Sequence, residues 1–130
     1  MTAKNTVVIC CVLALLSFAK CRSQEPALSE QEKGSTLFEN CKADLRIADS
    51  ESKNSALDET GAYRCIGYAQ GFADAYAMVS PARFCAEGAS IGTIIRIYVN
   101  FMQQNPKYLD SYRGIGFLEA MKASYPCAKQ

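Results

Sequence analysis

Four cysteines, Cys41, Cys65, Cys85 and Cys127, lie among the helical patterns of this chain and limit how its segments can be arranged. The chain has seven cysteines, and the other three fall within the first 21 residues. Removal of that stretch would leave an even number. An even set of spaced cysteines in a small secreted chain is typical of a disulfide framework. We therefore predict an all-α fold, a small bundle of about four helices cross-linked by two disulfides.

Residues 1–23 have the three-part pattern of a secretory signal peptide. Lys4 precedes an apolar run over residues 6–19, and polar residues follow. The run is short for a membrane span, although a retained anchor is one alternative. We expect this segment to be cleaved, so that the mature protein lies in the periplasm without a stable membrane anchor.

Two cleavage points fit the preference for small residues, one after Ala19 and one after Ser23. Cleavage after Ser23 also removes Cys21, which leaves the four paired cysteines. In a second alternative Cys21 is acylated and the protein is a lipoprotein. The adjacent Lys20 argues against that alternative.

Charge and composition exclude several functions. At 130 residues, with 49% hydrophobic and 21% charged residues, the chain is long enough for one globular domain. Of 14 basic residues three lie in the signal segment, which leaves 11 against 13 acidic residues and a net charge of about −2. We expect no nucleic-acid partner, because a phosphate-binding surface requires an excess of positive charge.

The chain contains no histidine and no tryptophan. Without histidine it lacks the Ser/His/Asp and Cys/His constellations and any imidazole metal ligand. A pair of carboxylates is the remaining catalytic alternative, and no spacing marks one. The available acids are Glu39, Asp44, Asp74, Glu87 and Glu119. We expect a protein that is not an enzyme and that needs no metal or cofactor.

Residues 24–34 are polar and predict a flexible arm before a helical domain at 35–130. Within the domain, helical periodicity predicts four helices. They cover about 37–49, 61–79, 91–104 and 106–124. A Thr36–Glu39 capping box marks the start of the first helix, and Ser55 and Ser90 are the caps expected near the next two. Asn105 is the expected cap of the fourth helix, and Pro106 suits its first turn. In this helix we expect four side chains to face the core, those of Leu109, Tyr112, Leu118 and Met121.

Two of these helices carry unusual surfaces. Gly67 and Gly71 lie one turn apart on the second helix, which predicts a close crossing by another helix of this chain or by a second protein. The apolar arc of the third helix is wider than one packed face needs. Either this helix is central, or part of its arc is buried against another subunit, on the side of Ile97 and Phe101 or on the side of Val99.

Four cysteines allow three pairings, and spacing alone does not choose among them. An antiparallel hairpin of the first two helices would bring Cys41 to Cys65. Cys85 would then join the loop before the third helix to the C-terminal Cys127. We predict these two disulfides.

Several segments of the chain resemble the Rap/Tai family of type VI secretion immunity proteins. They are Cys65 followed by two glycines (CIGYAQGFADA), a later Phe-Cys and Gly before a helix (FCAEGASIGTI), Asn105-Pro106, and a terminal Tyr-Pro-Cys. The resemblance covers residues 41–127. Ala86 and Glu87 stand where the family usually has a proline, and the Gly114/Gly116 pair interrupts an expected helix.

The resemblance implies a periplasmic, usually dimeric helical protein that binds and inhibits a cell-wall amidase injected by neighbouring cells. Family members use a helix face and a loop, and on helical position we expect the partner surface at the polar edge of the third helix and the following turn. These residues are Arg96, Asn100, Gln103, Gln104, Lys107 and Tyr108. A small periplasmic stress chaperone is the alternative function.

Overall fold

The computed structural model describes residues 27–50, 55–79 and 83–128, and this part of the chain contains four α-helices. They are α1 (Gly34–Asp49), α2 (Ala56–Val79), α3 (Ile91–Gln104) and α4 (Arg113–Ser124). Short 3₁₀ turns precede α1 at Glu30–Glu32 and follow α3 at Pro106–Tyr108. The predicted all-α bundle is confirmed. The predicted signal peptide lies outside the described residues, and no described helix is both long and apolar enough to cross a membrane.

The first helix begins at Gly34, three residues before the predicted start. The predicted Thr36 cap is wrong, because Thr36 lies inside the helix and its hydroxyl donates to the carbonyl of Glu30. The capping box is instead Ser29 with Glu32, on the preceding 3₁₀ turn. The last residues of the predicted arm therefore form a 3₁₀ turn that leads into α1.

The second helix begins at Ala56, where the Ser55 hydroxyl accepts a hydrogen bond from the amide of Asp58 at 3.1 Å. It packs antiparallel on α1. Arg46 at the end of α1 pairs with Asp58 at the start of α2, and Cys41 meets Cys65 further along. Small residues at this contact, such as the buried Ala43 and Ala62, allow the two helices to approach closely.

Both predicted disulfides are present, Cys41 to Cys65 and Cys85 to Cys127, each with a Cα–Cα distance of 5.0 Å. Cys41 and Cys65 are fully buried at the contact of α1 and α2. Cys85 and Cys127 are half-buried, and the amide of Cys85 also donates to the carbonyl of Tyr125 at 2.9 Å. The second bridge thus fixes the loop before α3 to the end of α4.

The third helix has the predicted bounds, with the Ser90 hydroxyl capping the amide of Thr93 at 3.1 Å. It is the central helix of the bundle. Its buried residues are Ile94, Ile95, Tyr98, Val99 and Met102. The Tyr98 hydroxyl donates to the carbonyl of Gly34, and its ring packs against Phe117 of α4 with centroids 4.9 Å apart. Most of the wide apolar arc of α3 is therefore buried within this chain.

The fourth helix is shorter than predicted, because the chain leaves helical geometry between Tyr108 and Arg113. The carbonyls of Leu109 and Ser111 accept hydrogen bonds from the amides of Ser35 and Gly34, both at 2.8 Å. In a continuous helix those carbonyls would bond to amides four residues on. The hydrogen bonds from the start of α1 therefore take the place of one turn of the predicted fourth helix. Tyr112, predicted to face the core, is 43% exposed.

Removing each disulfide in turn tests how much it contributes to the free energy of unfolding. Loop entropy alone predicts losses of about 3.5 kcal/mol for Cys41–Cys65, with a sequence separation of 24, and about 4 kcal/mol for Cys85–Cys127, with a separation of 42. We expect the opposite order for paired Cys→Ala variants, because only the Cys41–Cys65 pair leaves a cavity in the core. Urea unfolding of the two double variants measures this. A larger loss for Cys85→Ala/Cys127→Ala would contradict it.

Candidate functional site

The outward edge of α3 contains the four polar residues predicted for a partner surface. Arg96, Asn100, Gln103 and Gln104 are all exposed and lie opposite the buried face of the helix. Lys107 is exposed in the 3₁₀ turn that follows. The structure thus brings these residues together along one edge of the molecule, which we call the α3 edge.

Arg96 is held in place by the end of α1. Its Nη1 and Nη2 donate to the two carboxylate oxygens of Asp49, at 3.1 and 2.5 Å. The hydrogen bond from Arg96 lowers the pKa of Asp49 and raises the pKa of the guanidinium. An exposed pair of this kind adds little to stability. In this structure the pair directs the Arg96 side chain toward the end of α1.

Tyr108 is half-buried at the end of the α3 edge. Its ring stacks on Phe101 with centroids 5.6 Å apart, and Lys107 Nζ lies 5.0 Å from the Tyr108 ring centroid. Its carbonyl accepts hydrogen bonds from the amide and hydroxyl of Ser111. Tyr108 is therefore a rigid aromatic group, with one part of its surface in the core and another in solvent.

Ile97 and Phe101 are partly buried and pack against the core cluster. These contacts support the interpretation of α3 as a central helix, and burial of the exposed parts of both side chains against another subunit stays a prediction. The remaining exposed parts of these two side chains border the α3 edge.

Gly67 and Gly71 lie on the solvent face of α2, opposite the buried Ala69. Among the described residues, a Cβ atom built on either glycine meets no other atom within 4 Å. The predicted close crossing by another helix of this chain is wrong, since the glycines point away from α1. Large apolar side chains accompany them on this face, with Tyr63 76% exposed and Met78 80% exposed.

Two clefts of about 340 Å³ each open on the described surface. The first lies between the end of α2 and the start of α3, where the rings of Tyr76 and Phe84 meet at a tilt with centroids 5.5 Å apart. Asp74 and Glu87 also line it, and both side chains are exposed. The geometry therefore gives little support to carboxylate catalysis there.

The second cleft is polar and was not predicted. Arg64 of α2 and Arg113 of α4 line it, together with Tyr68 and residues of α1. Burial raises the pKa of Tyr68 to about 12, and Arg113 partly opposes that shift. Since the two arginines come from different helices, no local sequence pattern could have joined them. For Arg64 the available signal was the absence of an acidic residue three or four positions away, whereas Arg113 has Asp110 three positions before it.

The fold defines a small disulfide-linked helical protein, and the α3 edge, the solvent face of α2 and the polar cleft are its candidate sites. Among the residues described, no group of three or more His, Cys, Asp or Glu side chains is arranged to hold a metal ion. The family model described as Rap1a immunity proteins matches residues 33–127. The match spans the whole helical domain, and the chain belongs to this family of immunity proteins. No curated protein and no solved structure matched the chain.

Substituting the exposed glycines tests whether they are free of intrachain packing. We expect Gly67→Ala and Gly71→Ala each to raise the free energy of unfolding by about 1 kcal/mol, because alanine is the better helix former and nothing obstructs its methyl group. Gly34→Ala is the matched control. Its Cβ would collide with the carbonyl oxygen of Tyr108, so we expect a loss of about 1 to 3 kcal/mol. Urea unfolding in dilute solution measures all three, and destabilisation by Gly67→Ala would contradict the open surface.

Proposed function

We propose that this chain is a periplasmic immunity protein that binds and inhibits a peptidoglycan amidase delivered by a type VI secretion system. It would thereby protect the producing cell and its sister cells. The observation that carries the proposal is the family match over residues 33–127, which supports immunity against a secreted effector. The amidase target follows from the resemblance of the cysteine and glycine segments to the Rap/Tai proteins. Immunity proteins of this kind are generally not enzymes, and we propose the same here.

The two disulfides support action outside the cytoplasm. Disulfides persist in oxidising compartments such as the bacterial periplasm. The Cys41–Cys65 bridge is fully buried in the core, so we expect oxidation to stabilise the fold. A peptidoglycan amidase acts in that compartment, and an inhibitor must fold there to meet it. The signal-like residues 1–23 fit the same location.

Inhibition would occur by covering the catalytic cleft of the amidase. A surface that blocks a cleft requires rigid side chains, because ordering flexible ones on binding costs affinity. The α3 edge provides them, since Asp49 fixes Arg96 and Phe101 supports Tyr108. Tyrosine and arginine are also the residue types that most often anchor protein interfaces. We propose Arg96 and Tyr108 as anchors, with Asn100, Gln103, Gln104 and Lys107 around them.

We also propose that the protein is a homodimer that associates through the outward face of α2. Tyr63 and Met78 are large, apolar and mostly exposed on this face. Gly67 and Gly71 between them would let the backbone of a second copy approach closely. A two-fold interface buries the same face on both copies, so each copy would supply both glycines and both large apolar side chains.

Binding measurements with variants of the α3 edge test the inhibitory surface. We expect Arg96→Ala and Tyr108→Ala each to weaken binding to the purified amidase effector by about 10-fold or more, as for interface anchors. Arg46→Ala is a matched control, because Arg46 forms a similar exposed ion pair with Asp58 away from this edge. Calorimetric titration measures the affinities. Equal binding by the Arg96→Ala, Tyr108→Ala and control variants would contradict the proposed surface.

Sedimentation equilibrium tests the dimer. We expect the wild type to sediment as a dimer, and Tyr63→Glu with Met78→Glu to give folded monomers, because both side chains are exposed within the protomer. Leu57→Glu is a control on another side of α2, where Leu57 is 85% exposed. A wild-type monomer, or a dimer unaffected by the double variant, would contradict this part of the proposal.

A further inference from the structure

The polar cleft beside α2 has a lining that suits an anion. It has a volume of about 340 Å³ and lies between the start of α1, the middle of α2 and the start of α4. Two guanidinium groups and no carboxylate are among its described lining residues. These residues are Gln31, Thr36, Leu37, Asn40, Arg64, Tyr68 and Arg113. The cleft is therefore a site of positive charge with amide and hydroxyl groups around it.

Arg113 is positioned in this cleft with one donor unused. Its guanidinium carbon lies 4.9 Å from the centroid of the Tyr68 ring, and Nη1 donates to the carbonyl of Gln31 at 3.1 Å. Its Nε is buried and has no hydrogen-bond partner among the described residues. A buried N–H group without a partner is costly, and an anion that accepts from it would remove that cost. Arg113 is thus held ready for a ligand.

Arg64 supplies the second charge. It lies one helical turn before Tyr68 and is exposed. Among the described residues it forms no ion pair, whereas Arg46 and Arg96 are each paired with an aspartate. Two guanidinium groups on adjacent helices therefore face one cleft without an acidic partner inside it.

Glu32, an acidic group that interacts with Arg113, is already engaged. The side-chain and backbone hydrogen bonds from Ser29 lower the pKa of Glu32, with a smaller contribution from Arg113. The Glu32 carboxylate accepts from the Ser29 amide at 3.0 Å and the Ser29 hydroxyl at 2.7 Å. Glu32 therefore moderates the positive charge of the cleft and leaves the Nε of Arg113 unoccupied.

We propose that this cleft binds the carboxylate of an aspartate or glutamate side chain that projects from the effector. The planar donors of arginine match a carboxylate with two parallel hydrogen bonds. Exposed Tyr112 and Ile115 flank Arg113 in sequence, with 43% and 49% of their surface accessible, and the Tyr112 ring lies close to Gly114 and Tyr68. Aromatic, aliphatic and arginine side chains together are typical of the centre of a protein interface. The inference rests on the proposed function and adds a second contact beside the α3 edge.

Affinity measurements with cleft variants test the inference. Arg64→Gln removes the exposed charge without affecting packing, and Arg113→Lys keeps a positive charge but removes the Nε donor. We expect each to weaken binding of the catalytically inactive amidase effector by about 10-fold, as for loss of one partner of a partly buried charge pair. Arg83→Gln is the matched control, because Arg83 is exposed, has no ion pair with a described residue and does not line this cleft. Unfolding curves check that Arg113→Lys remains folded.

The outcomes separate the two proposals. If the wild type binds the effector and both variants bind equally well, the cleft proposal is wrong and the immunity function stands. If the variants lose self-association but still bind the effector, the cleft is occupied by a second copy of the chain, and the cleft proposal is again wrong. If the wild type does not bind the effector at all, both proposals are wrong.

The carboxylate chemistry is tested on the isolated protein by NMR. Titration with N-acetylglutamate methylamide should shift the Nε–H resonance of Arg113 saturably, and Arg64→Gln should weaken that response. A response no larger than that to sodium chloride, or a stronger one to inorganic phosphate, would contradict recognition of a protein carboxylate.

Discussion

The buried disulfide between Cys41 and Cys65 is the constraint on which the arrangement of this molecule depends. Both cysteines are fully buried, in the same core cluster as Tyr98 of α3 and Phe117 of α4. Because the bridge fixes α1 against α2, it also fixes the groove in which α3 packs. The solvent face of α2 and the outward edge of α3 then point in set directions. Covalent cross-linking is an economical means of stabilising a small domain, whose core supplies only a modest share of the required free energy.

Local signals in the sequence predicted much of this fold, and non-local contacts account for the errors. The bounds of α3 and its Ser90 cap depend on neighbouring residues alone, so they were predictable. The break before α4 depends on amides of Gly34 and Ser35, which are distant in sequence from the carbonyls they bond. The glycines of α2 show the same limit. Their spacing indicates a strip of helix surface without side chains, but only the fold shows that this strip faces solvent.

The candidate surfaces were predictable to different degrees. Helical periodicity placed Arg96, Asn100 and the two glutamines on one edge, because they lie opposite an apolar face. It could not show that Asp49 orients Arg96, since that contact joins α1 to α3. Nor could it bring together Arg64 and Arg113. In both cases the chain positions a guanidinium in advance, either with an aspartate or with an aromatic ring and a backbone carbonyl. Such preorganisation suits a protein that acts by binding.

The most direct test of the account is the survival of bacteria that carry a Rap/Tai-type amidase effector in their periplasm. The chain would be produced in two forms, one exported and one without residues 1–23 and therefore retained in the cytoplasm. The account predicts that cells with the exported form survive and that cells with the retained form lyse. Lysis at the same rate with both forms, despite folded and oxidised protein in the periplasm, would contradict it.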